Sequence, residues 1–247
     1  MKKQLAVIIG SLVFLAANTY AGSSVHWGYS GHEGPEHWGE LSKKYSVCSS
    51  GKNQSPIDIA NTIEANLEKI QFDYDSSSLD IINNGHAIQV NYASGSQITL
   101  EGNTYNLLQY HFHTPSENTI QGKHYLMEAH FVHADSDENL AVIGVMFKEG
   151  KENSRIAEIC KHMPKSSGKT YTDSSNKING IDLIPADKGY YRFNGSLTTP
   201  PCSEGVKWMV MKDALEVSEV QVKKFNETMH GDTNRPVQPT NARAILK

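Results

Sequence analysis

The strongest constraint on this chain is the alternation in Gln109-Tyr110-His111-Phe112-His113. A β-strand turns successive side chains to opposite faces. Gln109, His111 and His113 therefore share one face, and Tyr110 and Phe112 share the other. A second run, Met127 to His133, alternates in the same way and begins within hairpin distance, with Glu128, His130 and Val132 on one face. Paired strands would bring three imidazoles to one point. Three neutral histidines with an open fourth position are the ligand set of a catalytic zinc, whereas a structural zinc normally closes with a fourth protein ligand. Spacing alone does not separate such a site from strand histidines that are satisfied polar residues. Gln109 and Glu128 tip the balance, because each sits two residues before a histidine on the ligand face. A ligating imidazole hands its second N–H to an amide, carbonyl or carboxylate.

The amino terminus reads as an export signal. Lys2 and Lys3 precede an apolar run from Leu5 to Ala17, and Thr19-Tyr20-Ala21 offers a cleavage site. The run is short for a membrane span, and no other long apolar stretch follows. A signal over residues 1–21 and one soluble domain over 22–247 are expected, with a periplasmic or secreted location. The formal net charge is −4, more negative once the two signal lysines leave. No basic stripe is present, which argues against nucleic acid as partner. An exported chain meets an oxidising compartment, so Cys48, Cys160 and Cys202 suggest one disulfide and one leftover thiol. Spacing does not choose the pair. Cys160 falls in a helix-like run, Ser154 to His162, as a buried thiol.

From Gln54 onward short alternating runs predominate: 79–82, 86–92, 97–100, 105–113, 125–133, 140–148, 189–193 and 206–211. Turn signals such as Asn83-Asn84-Gly85 and Glu101-Gly102-Asn103 separate them. Helical patterns are confined to 154–162 and 218–227, and the tail from Asn234 is irregular. The reading is one β-dominated α+β domain with peripheral helices. His32-Glu33 with His37 does not make a zinc-protease helix, because Gly34-Pro35 interrupts it.

Two further stretches suit the chemistry of a metal-activated nucleophile. Asn194 to Cys202 is rich in hydroxyls and stiffened by Pro200-Pro201. A threonine that donates to a carboxylate must accept from its other neighbour, so a Thr198–Glu117 pair could orient a nucleophile. His86, beside the Asn84-Gly85 turn, has an ordinary pKa near 6.5, which suits proton shuttling.

Together the segments Trp27-Gly28-Tyr29, Asn53 to Ile57, Asn84-Gly85-His86, Gln109 to His113, Ser116-Glu117, Glu128-Ala129-His130, Leu140 to Val142, Gly195 to Cys202 and Asn234-Arg235-Pro236 resemble an α-class carbonic anhydrase of the exported bacterial kind. They fall in family order over essentially the whole mature chain. The resemblance implies a large twisted, mostly antiparallel sheet with zinc at the base of a conical cleft. It implies His111, His113 and His130 as zinc ligands, with Gln109 and Glu128 supporting His111 and His130. Thr198 would orient the hydroxide with Glu117 behind it, and His86 would shuttle protons along water ordered by Tyr29, Asn84 and Gln89. Val132, Val142, Leu197 and Trp208 would wall the carbon dioxide pocket, with Thr199 contacting bicarbonate. It also implies a Cys48–Cys202 disulfide.

Two departures from animal members, Thr114-Pro115 after His113 and Asn118 after Glu117, are expected to touch no catalytic role. The rival reading is a non-catalytic binding module on the same fold, but inactive relatives have typically lost a zinc histidine and this chain keeps all three. A zinc esterase would use the same nucleophile. Oligomeric state stays open, a homodimer included.

Overall fold

The structure is a computed structural model describing residues 25–247; the expected signal over 1–21 lies outside them. The described residues form thirteen strands: β1 Asp58–Ile59, β2 Gln71–Asp73, β3 Ser77–Asn83, β4 Ile88–Asn91, β5 Gln97–Leu100, β6 Asn103–His113, β7 Thr119–Ile120, β8 Met127–Ala134, β9 Leu140–Glu149, β10 Lys169–Ile178, β11 Tyr190–Ser196, β12 Glu204–Met211 and β13 Leu215–Val217. Four short α-helices lie around them: α1 Trp38–Leu41, α2 Val47–Ser50, α3 Ser154–His162 and α4 Glu219–Met229. Eleven strands make one sheet, ordered β10-β3-β4-β6-β8-β9-β12-β11, with β5 and β2 running off β6 and β13 lying along β9. Pairing in this sheet is antiparallel except where β12 and β13 run parallel to β9, and β1 and β7 form a separate parallel pair.

The period-two pattern sorts the central strands into two chemically different faces. Tyr110, Phe112, Met127, Ala129, Phe131, Ile143, Val145, Phe147, Met209 and Met211 join one large apolar core. Val142, Met146, Val206, Trp208 and Val210 point the other way into a second, smaller core. Strand β9 is buried on both faces, which explains why it reads as nearly continuous apolar sequence. At roughly 1.5–3 kcal/mol for each fully buried large apolar side chain, the first core fixes the register of the middle strands. The second face is where the polar residues of β6 and β8 gather.

Strand β10 is absent from the sequence reading for a physical reason. Its Lys169–Ile178 run is mostly polar and largely exposed, and it pairs only with β3, with a break in register between Asp173 and Lys177. An edge strand held by main-chain bonds needs no alternating apolar face. Helix α3 covers the expected residues, with Asn153 capping the Arg155 and Ile156 amides. Cys160 is half-buried rather than fully enclosed, and burial pushes its thiol up to about 11.

The aromatic amino-terminal segment lies on the sheet as loop and short helix. Trp38 is wholly buried and donates its indole N–H to the carbonyls of Gly28 and Glu33, both at 2.9 Å. Cys48 in α2 is bonded to Cys202, closing 154 residues of sequence. The carboxyl-terminal segment, irregular as expected, is tied into the fold where Leu246 exchanges two 2.9 Å backbone hydrogen bonds with Arg192.

Two outcomes follow. In the entropic account a closure of this length contributes at most about 5 kcal/mol, and usually less; denaturant titration of Cys48→Ser/Cys202→Ser is expected to show a loss of about 2–5 kcal/mol. The second concerns His133, which is fully buried between the Tyr74 hydroxyl at 2.6 Å and the Ala141 carbonyl at 3.2 Å. Burial pushes its imidazole down to about 4. Below pH 6.5 the unfolded chain takes up a proton that the folded chain refuses until about pH 4, so stability falls across that window and levels off beneath it. His133→Gln should make that fall smaller by about 3 kcal/mol, measured by denaturant titration of metal-free protein at each pH.

Candidate metal centre

The β6–β8 register sets His111 directly opposite His130 and His113 opposite Glu128. Each histidine offers a ring nitrogen to a cluster whose ligand atoms all lie within 4.8 Å of one another. His113 and His130 are buried and His111 is partly so. Burial lowers all three imidazole pKa values, which keeps the rings neutral and their lone pairs available.

Outer partners decide which nitrogen is left free. His111 Nδ1 lies 2.9 Å from Gln109 Oε1, as expected, leaving Nε2. His113 Nδ1 lies 2.6 Å from the Thr233 carbonyl, which can only accept, so that nitrogen carries the proton. Nε2 of His113 is then buried without a hydrogen-bond partner and could hold a metal. Glu128 Oε1 sits 3.1 Å from His130 Nε2, off the line of an aligned hydrogen bond, leaving Nδ1 toward the cluster. Three inward nitrogens, each on a ring steadied from behind, fit a metal such as zinc.

Glu117 is completely buried beside this cluster. Its Oε1 accepts from the Arg235 amide at 2.8 Å. Its Oε2 lies 3.4 Å from His113 Nε2 and 3.8 Å from His130 Nδ1, with no hydrogen-bond partner. Burial pushes this carboxyl up to about 8, opposed by the Arg235 amide and the Thr198 hydroxyl. Thr198 itself is 5% exposed. Gly195, three residues earlier on β11, has no room for a side chain: a Cβ there would come within 2.1 Å of Ser55 Oγ. The strand leading into the threonine run thus packs directly on the Gln54-Ser55 segment, with reciprocal Ser55–Ser196 hydrogen bonds at 2.8 and 3.1 Å.

The four residues expected to form an apolar wall belong to one cluster, with Val142 and Trp208 in the second core and Val132 and Leu197 packed against it. The Trp208 ring meets His130 edge-on at 4.8 Å between centroids. Thr199 is half-buried, and its carbonyl accepts from the Cys202 amide at 2.8 Å, so the disulfide anchors this loop.

His86 is not the isolated surface histidine that its turn suggests. It is half-buried and stacked flat on Trp27, with centroids 3.6 Å apart and planes 8° apart. Burial, and secondarily His26, lowers its pKa. It lines a cavity of about 680 Å³ with His26, Trp27, Tyr29 and His230, but none of the clustered histidines reaches that wall. Tyr29 spans the gap: it lines the cavity, and its hydroxyl is buried, unpartnered and raised in pKa by burial and by Glu117. Asn84 donates to Gln89 at 3.3 Å, while its Oδ1 accepts from the His86 and Ala87 amides, so its first task is holding the turn.

The sequence reading missed the roles of two residues. Thr233 supports His113 through a main-chain carbonyl, which has no side-chain signature. Arg235 was noted only as part of a family segment, yet its amide holds Glu117 and its guanidinium donates to Gln54, Ser55 and Cys48 at 2.7–2.9 Å. Asn118 and Thr114-Pro115, expected to touch no catalytic role, lie against residues that back the histidine cluster. Asn118 bonds Glu128, and Thr114 exchanges hydrogen bonds with Thr233, the residue behind His113.

The model of the eukaryotic-type carbonic anhydrase family matches residues 33–247. A carbonic anhydrase of Neisseria gonorrhoeae is 46% identical over 227 residues, 92% of this chain and 89% of that protein. One from Pectobacterium carotovorum is 43% identical over 246 residues, 100% of each. Among solved structures, the α-carbonic anhydrase of Thermovibrio ammonificans, in complex with the inhibitor sulfanilamide, is 48% identical. It superposes with a TM-score of 0.88 over 91% of this chain and 100% of that one. A twisted mixed sheet bearing a buried three-histidine cluster and a sequence matched along nearly its whole length lead to one conclusion: this chain belongs to the eukaryotic-type, or α, carbonic anhydrase family.

Proposed function

We propose that this protein is an exported zinc enzyme that interconverts carbon dioxide and bicarbonate. The observation that carries the reading is the partnerless inward nitrogen of His113 within a cluster of three neutral imidazoles. His111, His113 and His130 would hold the metal. When bound by neutral ligands, zinc keeps its double positive charge and brings its water within reach of neutral pH, near 7 in the established case of carbonic anhydrases.

The remaining work falls to the chain. Thr198, donating its hydroxyl proton to Glu117, has its oxygen lone pairs free to accept and so to aim the nucleophile. Glu117 accepts most strongly when ionised; burial opposes ionisation, and the Arg235 amide together with nearby positive charge favours it. Val132, Val142, Leu197 and Trp208 give an uncharged, weakly hydrated substrate a dry wall, while Thr199 offers a hydroxyl to the polar product. The released proton is carried through water ordered by Tyr29 and by the Asn84–Gln89 pair to His86, whose lowered pKa helps it pass the proton on. The Cys48–Cys202 bond supports an oxidising, extracytoplasmic location; residues 22–247 would form the mature enzyme.

Wild type is expected to bind one zinc per chain. His113→Ala should weaken binding by at least about a hundredfold in competition with a chelator, since losing even an outer partner costs roughly 10–100-fold. In stopped-flow hydration, Thr198→Ala should lower kcat and kcat/KM together by about a hundredfold, the order expected for misplacing a reacting group. His86→Ala should lower kcat alone, by up to about a hundredfold, with recovery on adding imidazole buffer. A zinc-loaded wild type that hydrates no faster than buffer would sink the enzyme reading and favour a binding module.

A further inference from the structure

We propose that Asn118 is a positioning residue for metal retention: it locks the Glu128 carboxylate against His130. The proposal rests on the metal reading above and goes beyond it, because Asn118 touches neither the cluster nor any reacting atom.

The geometry leaves Asn118 one orientation. It is 0% exposed, and its Oδ1 accepts from the Ile57 backbone N–H at 3.0 Å. An amide oxygen claimed by a backbone donor forces the NH₂ to the opposite side. There it donates to Glu128 Oε1 at 2.8 Å. The other carboxylate oxygen, Oε2, accepts from the Asn118 amide at 2.8 Å and the Glu117 amide at 2.9 Å. Glu128 Oε1 is also the atom 3.1 Å from His130 Nε2. The side chain of Asn118 and the ring of His130 therefore meet on one oxygen.

The opposite side of that slot is equally specific. Gly144 faces His130 across β8 and β9, and a Cβ there would lie 2.8 Å from Glu128 Oε1. The carboxylate thus fits between a missing side chain on one strand and a fixed amide on the loop after β6. Its angular freedom, and with it the tilt of the His130 ring, is set by Asn118 and Gly144. A ligand held at a fixed tilt does not have to be reordered each time the metal departs and returns, so a loosened carboxylate should show itself chiefly as faster metal loss.

The experiment compares zinc release into excess chelator from wild type, Asn118→Asp, Asn118→His and Gly144→Ala. Ile98→Val, a core change in β5 away from the cluster, serves as a control for general loosening. Asn118→Asp keeps the acceptor for Ile57 and replaces the donor to Glu128 with a carboxylate oxygen that repels it; it should release zinc roughly tenfold faster or more. Asn118→His restores a ring N–H and should stay within about threefold of wild type. Gly144→Ala presses on the same oxygen from behind and should also release faster, so it carries the test if Asn118→Asp does not fold. Cobalt-substituted Asn118→Asp should show an altered visible band, which a distant packing defect would not produce. Folded variants releasing zinc at the wild-type rate, or an equal acceleration in Ile98→Val, would overturn the proposal while leaving the metal reading intact. A wild type that takes up no zinc would overturn both.

Discussion

Everything at this site depends on the register between two strands. With His111 set opposite His130, Gln109, His111, His113, Glu128 and His130 fall on one face of β6 and β8, and Tyr110, Phe112 and Phe131 on the other. A slip of one residue would turn His130 and Glu128 into the apolar core and send Ala129 and Phe131 toward the cluster. Phe131 and Tyr110 stack at 4.9 Å on the far side of the sheet. The hydrophobic face therefore enforces the geometry of the polar one: burial of rings on the far side of the sheet determines where the three histidines stand.

That arrangement confines a costly set of groups. Two fully buried carboxyls and three imidazoles share a small volume, and burial pushes Glu117 and Glu128 up to about 8 and about 7. Unpaired buried charge would be severely destabilising. The protein answers with directional donors: the Arg235 amide for Glu117, and the Asn118 and Glu117 amides with the Asn118 side chain for Glu128. A doubly charged cation among the imidazoles would complete that compensation.

Much of this was legible in the sequence, and the limits have physical causes. The ligand faces followed from period-two alternation, and Gln109 could be placed behind His111 because a side chain two residues away on a strand shares its face. Such reasoning fails where support comes from main-chain atoms of distant segments. Nothing in the residue type of Thr233 announces that its carbonyl will reach His113, 120 positions away. Asn118 stood in the sequence only as a departure expected to have no catalytic role; its contacts with Glu128 and Ile57 arise only in the folded chain. The edge strand β10 escaped because edge pairing uses backbone groups common to every sequence. The stacking of His86 on Trp27 escaped because the two rings come from segments well separated in sequence.

The return of the carboxyl-terminal segment has a temporal meaning. Thr233 and Arg235 supply the backing for His113 and Glu117, and the Arg235 guanidinium reaches into the loops around Cys48 and Gln54. A chain made from its amino terminus presents all three clustered histidines long before this backing exists. At about 5–20 residues per second, the 120 positions between His113 and Thr233 correspond to about 6–24 s of synthesis. During that interval a nascent chain has the donor atoms for a cation but not the framework that fixes their tautomers. On the proposed metal reading, tight capture would wait for this segment, and a truncated product would carry the three-histidine motif without the carbonyl that fixes the His113 tautomer.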